Sequence, residues 1–362
     1  MIIYINMRFL TQRITGVQRF AYEICCELDK LLANFPDVEL VGLLPNRPIL
    51  RQYDIRNFSA IKITTCGRFS GHLWEQLELP WYSRGNALLN LCNVAPIFKH
   101  LQYITLHDVI FMTNLDSQKW WFKLWYRLIA WSTSRFARHI FTVSEFSKSE
   151  ISCYLAIDPF RITVLGNGAS LSNYAYQDEI ISGLSLVAQN YFLIIGSNTA
   201  RKNINVVTSL FATSAELSHV KLVVVGGSYA NLGAVNQITA PNIIYTGYIP
   251  DSELRSLYHH AKALIFPSLY EGFGIPVIEA MAENIPLIVS DIPVMHEVCG
   301  DSAIYFNPHQ PGSLKMKLIE LINGNYHRLD LLKLLANQRV ANYQWSSFAK
   351  KIIFQLMLKG NK

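Results

Sequence analysis

The chain has 362 residues, 51% hydrophobic and 16% charged, with a formal net charge of +6 at pH 7. That is too long for one ordinary core and carries enough apolar material for two, which excludes disordered, collagenous and low-complexity classes. No apolar run approaches the ~18 residues of a membrane span, and the six cysteines (25, 26, 66, 92, 153, 299) show no CxxC spacing, so reduced thiols are expected rather than a disulfide framework or a zinc site.

In chain order, the opening MIIYINMRFL reads as a β-strand, since it lacks the basic-then-apolar layout of a signal peptide. Short β-branched runs at 2–9, 38–45, 60–65, 87–91, 103–106, 139–143 and 162–165 alternate with amphipathic stretches such as 17–35 and 118–138. Near-continuous apolar strands between helices predict a parallel sheet covered on both faces. The polar stretch 172–190 reads as a linker. A second series then begins with YFLIIGS, KLVVVGG, NIIYTGYI, ALIFPS, PLIVSD and AIYF. The expectation is therefore an α/β protein of two tandem, doubly wound Rossmann-like domains, at 1–171 and 191–345. A last amphipathic helix, 346–362, should pack back toward the first domain. Such sheets bind ligands at the carboxyl ends of their strands, so two of them facing each other imply a shared cleft.

Charge is uneven: residues 1–170 hold 18 Lys+Arg against 13 Asp+Glu, and residues 171–362 hold 14 against 13. A mildly basic first half suits a phosphate-rich or anionic-membrane partner. Nucleic acid is not expected, for there is no basic run and no nucleic-acid module. Within 118–139, Trp120, Trp121, Leu124, Trp125, Leu128 and Ile129 fall on one side at helical spacing, with Lys123, Arg127 and Arg135 elsewhere. That pattern fits an interfacial helix, and equally the buried face of a core helix.

The second half carries the chemistry. FPSLYEGFGIPVIEAMAENIPLIVSD (266–291) runs strand, glycine-punctuated loop, helix, strand. Gly272 and Gly274 flank Phe273, letting backbone approach a ligand closely. Pro276 sits in the first turn of the helix, and the free N–H groups there suit an anionic or hydroxyl-rich ligand. Glu271 in the loop and Glu279 eight residues on can each accept from vicinal hydroxyls; such a pair is common on solvated helices, and gains meaning from its setting in EGFGIPVIEA. In LIIGSNTARKNI, Arg201 and Lys202 follow a strand and precede a helix, a fork and a point charge matched to diphosphate oxygens. Backbone groups near Tyr248 and Ile249, after another strand, can read a base edge.

EGFGIPVIEA behind a strand–xxxRKN segment resembles glycosyltransferase family 4, retaining enzymes of GT-B fold, and RITGVQRFAYEI (13–24) resembles the first loop and helix of its bacterial surface-polysaccharide, mannosyltransferase-like members. The resemblance implies that Glu279 binds the nucleotide ribose and Glu271 the donor sugar. Backbone at Gly196, Phe273, Gly274 and Ile275 would hold sugar and phosphate, Arg201 and Lys202 would neutralise the leaving diphosphate, Gly16 would approach the phosphates from the other domain, and His107 in TLHDVIF would stand beside the donor sugar. Many members have two glycines in the first loop, where this chain has Thr15-Gly16-Val17.

The function this implies is transfer of a hexose from a nucleotide-diphosphate sugar, GDP-mannose leading, to a lipid-linked or oligosaccharide acceptor in O-antigen, capsule or lipopolysaccharide assembly. UDP-hexose, GDP-fucose and dTDP-rhamnose stay open as donors. No Asp-x-Asp and no clustered ligand set occur, so metal-independent chemistry without a cofactor is expected. Anomeric retention follows from the family alone. The expected location is the cytoplasm, with 118–139 a candidate contact for the cytoplasmic face of the inner membrane. A nucleotide-sugar epimerase and a catalytically inactive nucleotide-binding partner remain alternatives. A dinucleotide oxidoreductase is disfavoured, because RFLTQRITGVQ replaces the GxGxxG that should follow its first strand.

Overall fold

The computed structural model describes residues 1–113, 120–227 and 237–360, with side chains of 120–122 and 359–360 left aside. The chain forms two compact units. Among the described residues the first comprises 1–112, 120–167 and 344–360, and the second 113, 168–227 and 237–343.

Each unit is built on one all-parallel sheet. In the first unit the strands are β1 (Ile2–Asn6), β2 (Glu39–Leu44), β3 (Lys62–Thr65), β4 (Ala87–Asn90), β5 (Gln102–Thr105), β6 (His139–Thr142) and β7 (Ile162–Val164), in the order β3-β2-β1-β4-β5-β6-β7. In the second they are β8 (Tyr191–Ile195), β9 (Lys221–Val225), β10 (Ile243–Gly247), β11 (Ala263–Phe266), β12 (Leu287–Ser290) and β13 (Ile304–Phe306), in the order β10-β9-β8-β11-β12-β13. Registers such as Tyr4↔Val41 in the first sheet and Ile194↔Val224 in the second keep apolar side chains aligned on each face. Every strand thus grows from one of the short apolar runs of the sequence. Such runs are stable only when helices cover both faces. In the second unit Phe192, Ile194, Phe211, Leu222, Ile265 and Ile288 join one buried core.

In both sheets the strand order reverses once, between β1 and β4 and between β8 and β11. Loops that leave two adjacent strands in opposite directions open a crevice at their carboxyl ends, and ligands of open α/β sheets settle there.

The stretch 172–190, expected as a linker, is instead part of the second unit. It is tied there by hydrogen bonds: the Gln177 backbone N–H donates to Ser256 Oγ at 2.7 Å, and Tyr176 donates to Glu283 Oε2 at 2.9 Å beneath the Arg255 guanidinium. The last helix, Trp345–Gly360, belongs to the first unit. There Trp345 meets Phe20 edge-on at 5.8 Å, and Phe348 lies against Gly166, where a Cβ would come within 2.6 Å of its ring.

Helix Trp120–Phe136 does not present the expected single stripe. Ile129 and Ala130 are buried, whereas Leu124, Trp125, Leu128 and Trp131 are 39–52% exposed. The side chains of Trp120 and Trp121, and residues 118 and 119, lie outside the described residues. No helix among the described residues is long and apolar enough to cross a membrane.

Candidate active site

The reversal between β8 and β11 places two loops side by side. The loop after β8 passes Gly196, forms a 3-10 turn at Ala200–Lys202 and enters helix Ile204–Thr213 through Asn203, held at φ 53°. The loop after β11 runs through Ser268 to Gly274 and enters helix Ile275–Ala282. Leu269 N donates to Arg201 O at 2.7 Å, so the loops are pinned by backbone. Gly274 caps its helix at φ 111°, a conformation in which side chains are strained, and a Cβ there would also press to 3.1 Å from Met295.

Across this seam the charged residues meet. Glu271 Oε2 lies 3.1 Å from Arg201 Nη1, and its Oε1 lies 2.6 Å from Lys202 Nζ. Glu271 is 7% exposed. Burial pulls its pKa up, but the adjacent Lys202 and then Arg201 charges outweigh that and take it down to about 2. The carboxylate is therefore ionised at neutral pH. Lys202 also stands 4.9 Å over the Phe266 ring, which fixes its stem. Two cations share one carboxylate, so the cluster keeps an excess positive charge at a strand-end crevice. On the same loop as Arg201, Thr199 Oγ1 is buried with no hydrogen-bond partner among the described residues, an unspent polar group beside the cluster.

Glu279 follows on the helix behind Gly274 and is 4% exposed. Tyr258, fully buried on helix Asp251–His260, donates to Glu279 Oε2 at 2.9 Å and also reaches Pro276 O at 3.2 Å. One carboxylate oxygen is thereby fixed in orientation. Phe273 is held edge-on to Tyr343 at 5.3 Å, and Ile275 opens the helix.

Gly196 follows β8 and lies against Gly226, which follows β9; a Cβ on Gly226 would sit 2.3 Å from Gly196 O, so Gly226 must be glycine, and Gly196 is held at φ 152°. Tyr248 lies past β10 with its ring over Gly227, where a Cβ would come within 2.7 Å, and Ile249 follows it half-buried. The second unit therefore gathers Arg201, Lys202 and Glu271 into direct contact, with Gly274, Ile275 and Glu279 on the adjoining helix. Gly196, Tyr248 and Ile249 stand at the ends of the strands on one side of them.

Gly16 and His107 belong to the first unit. Gly16 opens helix Gly16–Leu31 and is exposed. His107, in the loop after β5, is 7% exposed, with Nε2 3.1 Å from Leu91 O and Phe20 edge-on at 4.7 Å. Burial drives its pKa down to about 4 against the opposing pull of the Leu91 carbonyl, so the ring is neutral at pH 7. With Nε2–H given to Leu91, Nδ1 is an acceptor.

Sequence reading missed Tyr258. Its helix shows a buried apolar face, but nothing in the spacing links a tyrosine to a carboxylate 21 residues later. Among the described residues no group of three or more His, Cys, Asp or Glu side chains is arranged to hold a metal ion.

The family described as glycosyl transferases group 1 matches residues 177–338, the span that holds Arg201, Lys202, Glu271 and Glu279. The O-antigen chain mannosyltransferase RfbU of Salmonella typhimurium is 32% identical over 260 residues, which cover 69% of this chain and 68% of its own. Among solved structures, Anabaena HepE in complex with UDP and glucose superposes with a TM-score of 0.75 at 12% identity, over 98% of this chain and 99% of its own. WaaG, a glycosyltransferase involved in lipopolysaccharide biosynthesis, superposes with a TM-score of 0.69 at 14% identity, over 97% and 98%. The fold of two Rossmann-like parallel-sheet units is thus GT-B, and the chain belongs to the glycosyl transferases of group 1.

Proposed function

We propose that this glycosyltransferase moves a hexose, with mannose from GDP-mannose favoured, onto a glycan acceptor of O-antigen, capsule or lipopolysaccharide assembly, with retention of configuration and without a metal ion. The observation that carries the reading is the contact of Arg201 and Lys202 with Glu271 at the strand reversal of the second unit, with Glu279 eight residues on. A sugar nucleotide reacts only when its departing diphosphate is stabilised. A guanidinium fork and an ammonium already in place supply that charge without reorganisation. Arg201 and Lys202 are the diphosphate partners in this reading. Glu271, ionised, accepts from donor-sugar hydroxyls while holding the two cations, and Glu279, oriented by Tyr258, accepts from the ribose. Backbone at Gly196, Phe273, Gly274 and Ile275 lines the sugar and phosphates, and Tyr248 and Ile249 flank the base. Neutral His107 offers Nδ1 as an acceptor to a sugar hydroxyl, and Gly16 offers its helix N-terminus to phosphate. The mannosyl preference is supported by the similarity to RfbU, and a nucleotide-diphosphate sugar by the UDP and glucose held by HepE.

A surface contact with the membrane belongs to the same proposal. Leu124, Trp125, Leu128 and Trp131 are exposed on one helix, Arg135 lies 4.9 Å over the Trp131 ring, and helix 120–136 holds Lys123 and Arg127 but no acidic residue.

The test is a thermal-shift panel of GDP, UDP, dTDP, CMP and NAD with EDTA throughout. A nucleotide at a hundredfold its dissociation constant stabilises by about 2.7 kcal/mol. A selective shift with GDP supports the donor reading; a shift with NAD alone, or with no diphosphate, overturns it. Proton NMR of the sugar released or transferred from GDP-mannose then reads the anomeric outcome.

A further inference from the structure

Helix Asp251–His260 and helix Ile275–Ala282 are joined by two polar rungs, and the donor reading uses only one of them. The first is the bond of Tyr258 to Glu279 Oε2 at 2.9 Å. The second lies three residues back on one helix and four forward along the other chain segment, where Arg255 Nε donates to Glu283 Oε1 at 2.7 Å. Glu283 directly follows helix Ile275–Ala282, and its backbone N–H donates to Glu279 O at 3.0 Å, closing the last turn. The Glu283 side chain is 3% exposed and that of Arg255 18%. Tyr176 donates to Glu283 Oε2 at 2.9 Å and accepts from Arg255 Nη2 at 3.2 Å, while His259 Nδ1 stands 3.8 Å from the same Oε2. Arg255 Nη1 donates further to Ser172 O at 3.2 Å and to Tyr174 O. Three side chains and the segment that opens the second unit thus close on one enclosed carboxylate.

A buried ion pair stabilises a fold no better than apolar packing of the same volume. What it adds is direction, since a guanidinium and a carboxylate bond only in fixed relative orientations. Direction matters at this place. Helix Ile275–Ala282 has eight residues, little more than two turns, and so takes its position from what it is tied to. The chain enters it at Gly274, φ 111°, and leaves through Asn284, φ 56°, bending sharply at both ends. A carboxylate that accepts from two adjacent hydroxyls has to be held to a fraction of an ångström, and a misplacement of about 1 Å can cost roughly 100-fold.

We infer that Arg255 and Glu283 are positioning residues for the nucleotide: as the second rung they set the register of the two helices, and through it the meeting of Tyr258 with Glu279. The inference rests on Glu279 as the acceptor of the ribose hydroxyls, as read above.

The experiment is calorimetry on the full chain with GDP and UDP, each beside its 2′,3′-dideoxy form. The wild type should bind the ribonucleotide it selects roughly 10-fold or more tightly than the dideoxy form, the scale for hydroxyls given to a carboxylate, and Glu279→Ala should erase that ratio. Arg255→Gln and Glu283→Gln should each lower the ratio about threefold or more, with the affinity for the dideoxy form kept within about twofold, because only an orienting bond is lost. Adding Tyr258→Phe to Glu283→Gln should lower it no further, since residues that act through one contact are not additive. Arg255→Met/Glu283→Leu replaces the pair by apolar side chains, and should recover stability to urea while keeping the lowered ratio. A ratio that holds its wild-type value in both single variants, that falls further when Tyr258→Phe is added, or that returns together with stability in the apolar pair would overturn the positioning role alone. A wild-type ratio near one, a ratio that survives Glu279→Ala, or no binding of either diphosphate would overturn the ribose reading and the positioning role with it.

Discussion

The two sheets share one strand order around a single reversal, and each reversal gathers a buried carboxylate with basic partners. Around Glu271 two cations outnumber the acid, the loops that carry them are pinned backbone to backbone, and the helix beyond is capped by a glycine at φ 111°. Around Glu75 one guanidinium and one imidazole meet the acid, which rides on a π turn brought in from between β3 and β4. The same topology thus carries two cations on one carboxylate in one unit and a guanidinium and an imidazole on one carboxylate in the other.

The sharpest way to break that contrast is to remove the excess charge. Arg201→Ala or Lys202→Ala should lower sugar transfer by two to three orders of magnitude, the scale for losing one preorganised charge-stabilising contact, read in steady-state kinetics. Glu271→Gln should split the readouts: GDP binding, by calorimetry, is retained or tightened as the cations lose their internal counter-ion, while transfer falls at least a hundredfold. A parallel fall in both would mean that Glu271 only holds the cations in place.

Glu279→Ala should weaken GDP by roughly 10- to 100-fold, as expected for hydrogen bonds to a charged acceptor at about 1.5–3 kcal/mol. Tyr258→Phe should cost only a fewfold in affinity, since the carboxylate remains and loses one orienting partner. If the two variants behave alike, Tyr258 matters through packing and not through its hydroxyl.

In the first unit, His107 gives a pH test. Its folded pKa, about 4, lies below the ordinary 6.5. Protonation between those values therefore favours the unfolded chain, so the contribution is present above pH 6.5 and is lost as pH falls toward 4. At about 1.4 kcal/mol for each pH unit the loss approaches about 3 kcal/mol. Urea unfolding at pH 7 and pH 4.5 should show a smaller drop in His107→Gln than in the wild type.

The smallest expected effect is at the membrane. Replacing Trp125 and Trp131 with Ser should reduce co-sedimentation with anionic vesicles severalfold while leaving GDP binding unchanged; no binding by the wild type would remove the surface contact from the account.

What was legible in the sequence follows from range. The strands among the described residues were visible, because most are buried on both faces and must be short apolar runs, and the exposed edge strand β3 showed through its β-branched Ile63, Thr64 and Thr65. Arg201, Lys202, Glu271 and Glu279 were visible because the loops and the helix start that hold them are local motifs. Arg8, His72 and Glu75 were not, since a contact between residues 8 and 75 depends on a crossover that no spacing records. Tyr258 was missed for the same reason. The stretch 172–190 was read as a linker because its side chains are polar and mostly exposed, and the bonds of Tyr176 to Glu283 and of the Gln177 backbone to Ser256 are long-range contacts that no spacing records. The stripe on helix 120–136 was read as one face, but Ile129 turns inward and Trp125 outward.

The most direct test of the central claim compares guanosine with GDP by calorimetry, on the wild type and on Arg201→Ala/Lys202→Ala. If the excess positive charge at the second reversal exists to hold a diphosphate, GDP binds the wild type at least 30-fold more tightly than guanosine, and the double variant erases that difference. Equal affinity for the two ligands in the wild type, or a preference for GDP that survives in the double variant, would contradict it.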